Sequence, residues 1–143
     1  MTEKILIALG GNALLRSGEK GSIEEQLAHV DETCRFFYDL INSGYRIAIT
    51  HGNGPQVGSI LLKNEMSAKS LPVMPLDICG AQSQGMIGYM IQRLMYNELH
   101  KNNENYPIVT IVTQTLVDSK DPAFKTPTKP IGPFYPQDQA EKL

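Results

Sequence analysis

The sequence predicts an α/β fold with a mainly parallel sheet, on the strength of two observations. The first is a strand–helix–strand pattern near the start of the 143-residue chain, in which the β-rich runs 4–9 and 46–50 flank a segment with helical periodicity. Strands joined by such a crossover run parallel. The second is a glycine-rich stretch directly after each run, because ligands of open α/β sheets bind where parallel strands end. Together they predict one α/β domain whose binding edge is built by the first two strands.

The first strand and the helix after it have clear local signals. Residues 4–9 are almost all apolar, which is typical of a strand buried on both faces. Ser22 and Glu25 have the spacing of a capping box and predict the helix start. Gly44 predicts its end in a left-handed turn. The buried face of this helix has apolar residues spaced three and four apart: Leu27, Val30, Cys34, Phe37 and Ile41.

Further elements follow the second strand. Pro55 opens a helix that Gly58 weakens. A long helix over 81–99 has a wide apolar arc and small residues near its start, which indicates two packed faces. The second face packs either within its own domain or against another subunit. The apolar run 107–112 predicts a third buried strand.

The character of the sequence changes at Ser119. Five prolines within fifteen positions exclude both a helix and a central strand there and predict a stiff, extended excursion. They are Pro122, Pro127, Pro130, Pro133 and Pro136. The last residues, 136–143, have the proline and acidic residues typical of a helix start. We therefore expect an α/β part over 1–118 and a separate proline-rich part over 119–143.

Composition excludes several classes of function. Thirteen Lys and Arg against fifteen Asp and Glu give a net charge of −2, so there is no basic excess for a nucleic-acid backbone or a membrane surface. No apolar run approaches the roughly 20 residues that span a bilayer, and the start of the chain has no signal-peptide pattern. Cys34 and Cys79 are too few and too far apart for a disulfide framework or a metal knuckle. We expect a cytoplasmic protein with reduced thiols and no nucleic-acid or membrane partner.

Two glycine-rich loops are the first candidates for chemistry. Gly10, Gly11 and Asn12 follow the first strand, and Gly52, Asn53 and Gly54 follow the second. Bare glycine backbone lets N–H groups approach an anion. Pro55 then stands where a helix begins, and a helix N-terminus also attracts anions. Either loop alone is equally typical of a tight turn, but both lie at one sheet edge, which predicts a site for an anionic substrate or a phosphoryl group.

Two further side chains could take part. Lys129 lies between prolines on a stiff backbone, from which a cation could reach a phosphate; the alternative is a solvated surface lysine. His51 borders the second loop and has either a ligand-binding or a structural role. The chain has no phosphate-binding G-x-x-x-x-G-K-[ST] motif, no dinucleotide G-x-G-x-x-G motif and no metal-ligand spacing, so we expect no protein-bound metal.

Five blocks of the sequence resemble carbamate kinases. They are ALGGNAL at 8–14, HGNGPQVG at 51–58, PLDICGAQSQGMIGY at 75–89, TQTLVD at 113–118 and PTKPIGPFY at 127–135. The blocks occur in order over essentially the whole chain. The resemblance implies the amino-acid kinase fold, a three-layer αβα sandwich around a mainly parallel sheet, of which this chain is the N-terminal portion.

The resemblance also implies an activity and its residues. Carbamate kinases transfer a phosphoryl group between ATP and carbamate, giving ADP and carbamoyl phosphate, with Mg²⁺ accompanying the nucleotide. By this resemblance Gly10, Gly11 and Asn12 hold the transferring phosphoryl group, and Gly52, Asn53 and Gly54 hold the carbamate. Lys129 is the catalytic lysine, on a protruding subdomain whose stem is the proline-rich excursion. The family is homodimeric, with the small-residue helix from Gly80 at the interface, and serves arginine or related catabolism.

Family members are roughly twice as long as this chain, and the missing half supplies the nucleotide pocket. We therefore expect the 143-residue chain alone to be inactive and one face of its sheet to lack a covering layer. Two alternatives stay open: a truncated, non-catalytic product that still folds or dimerises, and another kinase of the same fold that acts on an acylamino acid. The sequence leaves the pathway, the direction of the reaction and its regulation undetermined.

Overall fold

The computed structural model describes residues 3–16, 18–129, 131 and 137–141, and only the backbone of Asn12, Asp138 and Gln139. In chain order its elements are β1 (Lys4–Leu9), α1 (Ile23–Asn42), β2 (Arg46–His51), α2 (Gly54–Ser67), α3 (Leu76–Lys101) and α4 (Gln137–Ala140). Short 3₁₀ turns lie at Gly11–Ala13 and Pro122–Phe124. Among these residues, none of the helices combines the length and the apolar character that crossing a membrane requires.

The predicted strand–helix–strand unit is confirmed. β1 and β2 pair in parallel, with Lys4 opposite Arg46 and Leu9 opposite His51. In the capping box of α1, the Ser22 hydroxyl accepts from the Glu25 N–H and the Glu25 carboxylate accepts from the Ser22 N–H. At its end Gly44 adopts φ +91°, a left-handed conformation that favours glycine. Both predicted signals therefore set the ends of α1.

The core lies on one side of the two strands. Val30, Cys34 and Phe37 of α1 pack against α3, and the half-buried side of each strand covers them. Burial raises the pKa of the Cys34 thiol to about 12, so this cysteine is a neutral packing residue. Cys79 is also buried, and neither cysteine forms a disulfide.

The other side of the sheet is open. Alternate residues of both strands are exposed, and Leu6 is 70% exposed. The expectation that β1 is buried on both faces is therefore wrong for the described residues, because α1 and α3 cover one face only. This open face is the one that we expected, from the sequence, to lack a covering layer.

The prediction of a third buried strand over 107–112 is also wrong. No strand is formed there in the described part of the chain, and Val109 and Ile111 are 77% and 75% exposed. Side chains of α3, rather than a neighbouring strand, bind the backbone of this segment: the Gln92 amide donates to the Ile108 carbonyl, and the Ile108 N–H donates to the Tyr96 hydroxyl. The apolar pattern is therefore strand-like, but the ladder partner is absent from the described residues.

Helix ends also differ from the prediction. α3 begins at Leu76, five residues before the predicted start, because Pro75 is its N-cap residue and Asp77 lies favourably in its first turn. The predicted helix at 136–143 is present as α4, with bounds Gln137–Ala140. Most of the proline-rich part is exposed and irregular where it is described; Pro130, Pro133 and Pro136 lie outside the described residues.

Candidate functional site

The two glycine loops lie side by side at the carboxyl edge of the sheet. Leu9 and His51 end the two strands opposite each other, and the Gly52 N–H donates to the Leu9 carbonyl at 3.2 Å. The loop after β1 continues into the 3₁₀ turn Gly11–Ala13, and the loop after β2 continues into α2. The structure thus brings together the loop residues that the sequence predicted as an anion site. Asn12 is in this loop, but its side chain lies outside the described part.

The loop glycines are not required by the fold. None of them has a positive φ, and a Cβ atom added to any of them would meet no atom of the described chain within 4 Å. They are Gly10, Gly11, Gly52 and Gly54. Each could therefore be alanine as far as backbone strain and internal packing are concerned. Their bare backbone leaves room for something from outside this part of the molecule.

The second loop points a helix N-terminus at this open space. Asn53 is the N-cap residue of α2, Gly54 and Pro55 follow it, and Pro55 has no N–H to donate. The first N–H groups of a helix have no partner within the helix, and they carry its positive dipole end. The side chain of Asn53 makes no capping bond here. The helix end is therefore left free to bind an anion.

The Asn53 side chain is held by α3 instead. Its Nδ2 donates to the Ser83 hydroxyl at 2.7 Å, and that hydroxyl donates to the Gly80 carbonyl, also at 2.7 Å. Ser83 is completely buried, and Asn53 is half-buried. The second glycine loop is thus attached to the small-residue start of α3.

A cavity of about 240 Å³ lies between β2, this loop and the segment after α3. Its lining residues are Ile49, Thr50, His51, Asn53, Gln84, Ile111 and Thr113. His51 donates from Nδ1 to its neighbour's carbonyl, that of Gly52, at 3.2 Å; the carbonyl can only accept, so the proton is placed on Nδ1. The cavity is smaller than the roughly 300–1,000 Å³ of drug-sized ligand pockets, so it suits a small molecule.

Gln84 holds one wall of this cavity in place through hydrogen bonds. Gln84 Oε1 accepts from the Thr113 N–H at 2.8 Å and from its hydroxyl at 3.2 Å, and Gln84 Nε2 donates to the Thr113 carbonyl at 3.4 Å. Gln84 therefore binds both backbone groups of Thr113, as a neighbouring strand would. We call Gln84 and Gln92, which bind the segment 108–113, the glutamine clamp.

The clamped segment passes directly over Gly88 of α3. A Cβ atom at Gly88 would overlap the Thr110 side chain, and the Thr110 hydroxyl donates to Gln92 Oε1 at 3.2 Å. Glycine at this position therefore leaves the space that the Thr110 side chain occupies.

Two further glutamines connect α2 with α1 and with the residue just before it. Gln56 of α2 donates to Gln26 of α1 at 3.1 Å, and Gln26 donates to the Gly21 carbonyl at 2.9 Å. Both glutamines are buried. They connect the start of α2 to Gly21, in the segment that leads from the first glycine loop to α1.

Hydrogen bonds of Glu19 add a further contact between this segment and α1. The Glu19 carboxylate contacts His29 Nε2 at 2.8 Å and accepts from the Arg16 N–H at 2.7 Å. The Arg16 N–H, with His29 adding to it, lowers the pKa of Glu19. The His29 side chain is largely buried in this contact.

Comparisons with known proteins show similarity to carbamate kinases. No protein-family model matches the chain. The carbamate kinase of Pyrococcus horikoshii is 52% identical over 145 aligned residues, which cover 100% of this chain and 46% of that protein. The carbamate kinase of Giardia lamblia bound to citric acid superposes with a TM-score of 0.91 at 48% identity, covering 98% of this chain and 45% of the other. The same enzyme bound to AMP-PNP gives a TM-score of 0.86.

Along its whole length the chain is similar to carbamate kinases. It spans about half the length of the curated carbamate kinases that it matches. The fold of the described residues is that part of the amino-acid kinase fold that these carbamate kinases share with it, as the sequence predicted.

Lys129, which the resemblance to carbamate kinases predicts as the catalytic residue, is not among the residues that line the cavity. Lys129 is exposed in a bend of the proline-rich part, and its role stays a prediction. Within the described ranges, no group of three or more His, Cys, Asp or Glu could hold a metal ion.

Five residues that hold the site in place were not predicted from the sequence: Ser83, Gln84, Thr113, Gln26 and Gln56. A usable signal was present for Gln26, which lies one helical turn before Val30 on the apolar face of α1. A polar residue on such a face needs a buried partner. No comparable signal pointed to Ser83, since a small residue in a helix is usually a packing residue.

Proposed function

We propose that this chain forms the phosphoryl- and carbamate-binding part of a carbamate kinase, which transfers a phosphoryl group between ATP and carbamate. The observation that carries the proposal is the pair of glycine loops whose glycines the fold does not need. They lie in a chain whose sequence is about 50% identical to those of carbamate kinases. Backbone that is kept bare without an internal reason supports close approach of a ligand.

The residues have distinct roles in this proposal. Gly10, Gly11 and Asn12 hold the transferring phosphoryl group, and Gly52, Asn53 and Gly54 hold the carbamate. The adjacent strand ends support this division, since both loops open on the same edge. Lys129 approaches from the proline-rich part and neutralises charge on the phosphoryl oxygens as the catalytic lysine.

The chemistry asks little covalent work of these groups. Phosphoryl transfer depends on alignment of the reacting atoms and on stabilising the charge of the equatorial oxygens. Backbone N–H groups and a lysine supply both. Carbamate is already an ionised nucleophile, so the site needs no general base.

The nucleotide belongs to a different part of the complete protein. The 240 Å³ cavity fits carbamate or the carbamoyl end of carbamoyl phosphate, and it is too small for a nucleotide. By the resemblance to carbamate kinases, ATP or ADP binds with Mg²⁺ to residues beyond this chain, with the metal carried by the phosphates. The 143-residue chain alone is accordingly inactive.

The wider setting follows from the same resemblance. Residues 1–118 form the substrate-binding α/β part, and 119–143 begin a protruding subdomain. The complete protein is a cytoplasmic homodimer with the start of α3 at its interface. It serves arginine or related catabolism.

The test is an assay of the complete protein for ATP formation from ADP, Mg²⁺ and carbamoyl phosphate. Activity of the complete protein, with none from residues 1–143, supports the proposal. No ATP above the blank overturns it. If the reading frame stops after the codon for Leu143, a truncated product without activity is the correct interpretation, and activity with an acylamino acid in place of carbamate identifies another kinase of this fold.

Lys129→Ala tests the catalytic lysine in the same assay. Removing a charge that stabilises the transition state lowers kcat by about 100-fold and leaves the circular dichroism spectrum unchanged. Lys125→Ala, which removes an exposed lysine of the same segment, is the matched control. An unchanged kcat for Lys129→Ala removes this residue from the site.

A further inference from the structure

We propose that Ser83 is a positioning residue for the substrate site, because it holds the Asn53 side chain away from the helix end that Asn53 would otherwise cap. The proposal rests on the proposed function, in which that helix end binds the carbamoyl group. Ser83 itself is completely buried and touches no substrate. Its effect therefore reaches the site through Asn53.

The hydrogen bonds at Ser83 fix which way the Asn53 amide faces. The Gly80 carbonyl can only accept, so the single hydroxyl hydrogen of Ser83 is used there. The hydroxyl oxygen is then left only as an acceptor. The Asn53 group that faces it at 2.7 Å must be the donating NH₂ and not the carbonyl oxygen.

This arrangement is unusual for an asparagine at a helix N-cap. The side-chain oxygen of such a residue normally accepts from the N–H of the second or third helical residue. In α2 the second residue is Pro55, which has no N–H, so Gln56 has the N–H that Asn53 could cap. Asn53 makes no such bond, and its φ of −144° and ψ of 13° belong to no usual cap conformation.

The contact with Ser83 therefore preserves a binding site. If Asn53 capped its own helix, its carbonyl oxygen would occupy the position in which an anion meets the Gln56 N–H. It would also place a negative partial charge at the dipole end that attracts the anion. Held by Ser83, the amide lines the cavity beside His51 and Gln84 instead.

Steady-state kinetics of the complete protein test this inference with Ser83→Ala. The released amide competes with the substrate for the helix end, so KM for carbamoyl phosphate rises about tenfold, the effect of one hydrogen bond. The unfolding midpoint falls little, because a capping bond replaces the lost one. Ser59→Ala, which removes an exposed serine of α2, is the matched control and leaves KM unchanged.

A double-mutant cycle separates positioning from general damage. Ser83 acts only through Asn53 in this proposal, so Ser83→Ala changes nothing further in an Asn53→Ala protein. Additive effects of the two substitutions on KM overturn the proposal. So does a Ser83→Ala protein with reduced stability and unchanged KM.

Amide hydrogen exchange gives a readout that needs no substitution at Ser83. The side-chain NH₂ of Asn53 should exchange more slowly than that of Asn97, an exposed asparagine of α3. Equal exchange rates overturn the proposal even if Ser83→Ala fails to fold. A wild-type protein without kinase activity overturns the proposed function instead, and the exchange rates then still decide whether Ser83 restrains Asn53.

Discussion

Gly44 and Gly88 are glycines that the fold needs, whereas Gly11 and Gly52 are glycines that it could exchange for alanine. Gly44 ends α1 in a left-handed conformation, and Gly88 lies under the crossing Thr110 side chain. Gly11 and Gly52 have neither a positive φ nor a neighbour within 4 Å in the described chain. Gly44 and Gly88 therefore have a structural reason in the described chain, whereas Gly11 and Gly52 have none there, as expected of glycines that a ligand or another part of the protein approaches.

The largest effect is expected for Gly11→Ala. In the proposed site its methyl group blocks the approach of the phosphoryl oxygens to the backbone, so kcat/KM in the complete protein is expected to fall by about 100-fold. The unfolding midpoint stays the same or rises slightly, because alanine restricts the unfolded chain. Kinetics and urea unfolding of the same protein measure both. A large loss of stability would place Gly11 with Gly44 and erase the difference between the two regions.

Gly88→Ala, in contrast, is expected to lower the stability of the protein. The added methyl group displaces Thr110, and overpacking of this kind costs about 1–3 kcal/mol, partly offset by the better helix propensity of alanine. Hydrogen exchange should increase in the segment 108–113 while α1 keeps its protection. Unaltered exchange in that segment would show that its contact with α3 is not tight.

Gly44→Ala is expected to lower the free energy of unfolding by a smaller amount. A left-handed conformation costs an alanine about 1–2 kcal/mol, and no site residue lies nearby in the chain. The free energy of unfolding falls by that amount, and KM for carbamoyl phosphate does not change. A change in KM without a change in stability would contradict the division between the two kinds of glycine.

Glu19→Gln is expected to have the smallest effect. It tests the contacts of Glu19 with Arg16 and His29, in the segment that follows the first glycine loop. The pKa of Glu19 is below its ordinary value of 4.5, first because the Arg16 N–H donates to the carboxylate. The folded form thus binds its proton less readily than the unfolded chain, so this contribution to stability is present above about pH 4.5 and is lost as the pH falls through the lowered pKa. The difference between wild type and Glu19→Gln should shrink on acidification below pH 4.5. A difference that persists there contradicts an electrostatic origin.

Local signals were enough to predict much of the fold. The capping box at Ser22 and the left-handed Gly44 depend on residues close in sequence, and the parallel pairing of the first two strands follows from the single helix that joins them. The two glycine loops were also predictable, since parallel strands joined by one helix must end at the same edge. The five blocks that resemble carbamate kinases added the fold family, which periodicity alone does not give.

The errors have a common physical cause. An apolar run such as 107–112 has the composition of a buried strand, but burial depends on neighbours that the run itself does not specify. The covering layer of β1 is a similar case, because an apolar strand can still have Leu6 exposed when one layer is missing. The positioning of Asn53 by Ser83 joins residues 30 positions apart, so no local pattern could have predicted it.

The glutamine clamp has a consequence for how the site responds to its surroundings. Gln84 and Gln92 hold the segment 108–113 through neutral amides, which neither gain nor lose protons and are not weakened by dissolved salt in the way that exposed ion pairs are. The cavity wall at Thr113 therefore keeps its place across a range of acidity and ionic strength. Any anion that binds beside Thr113 would therefore meet a wall of constant shape, and only its electrostatic attraction would vary with the solution.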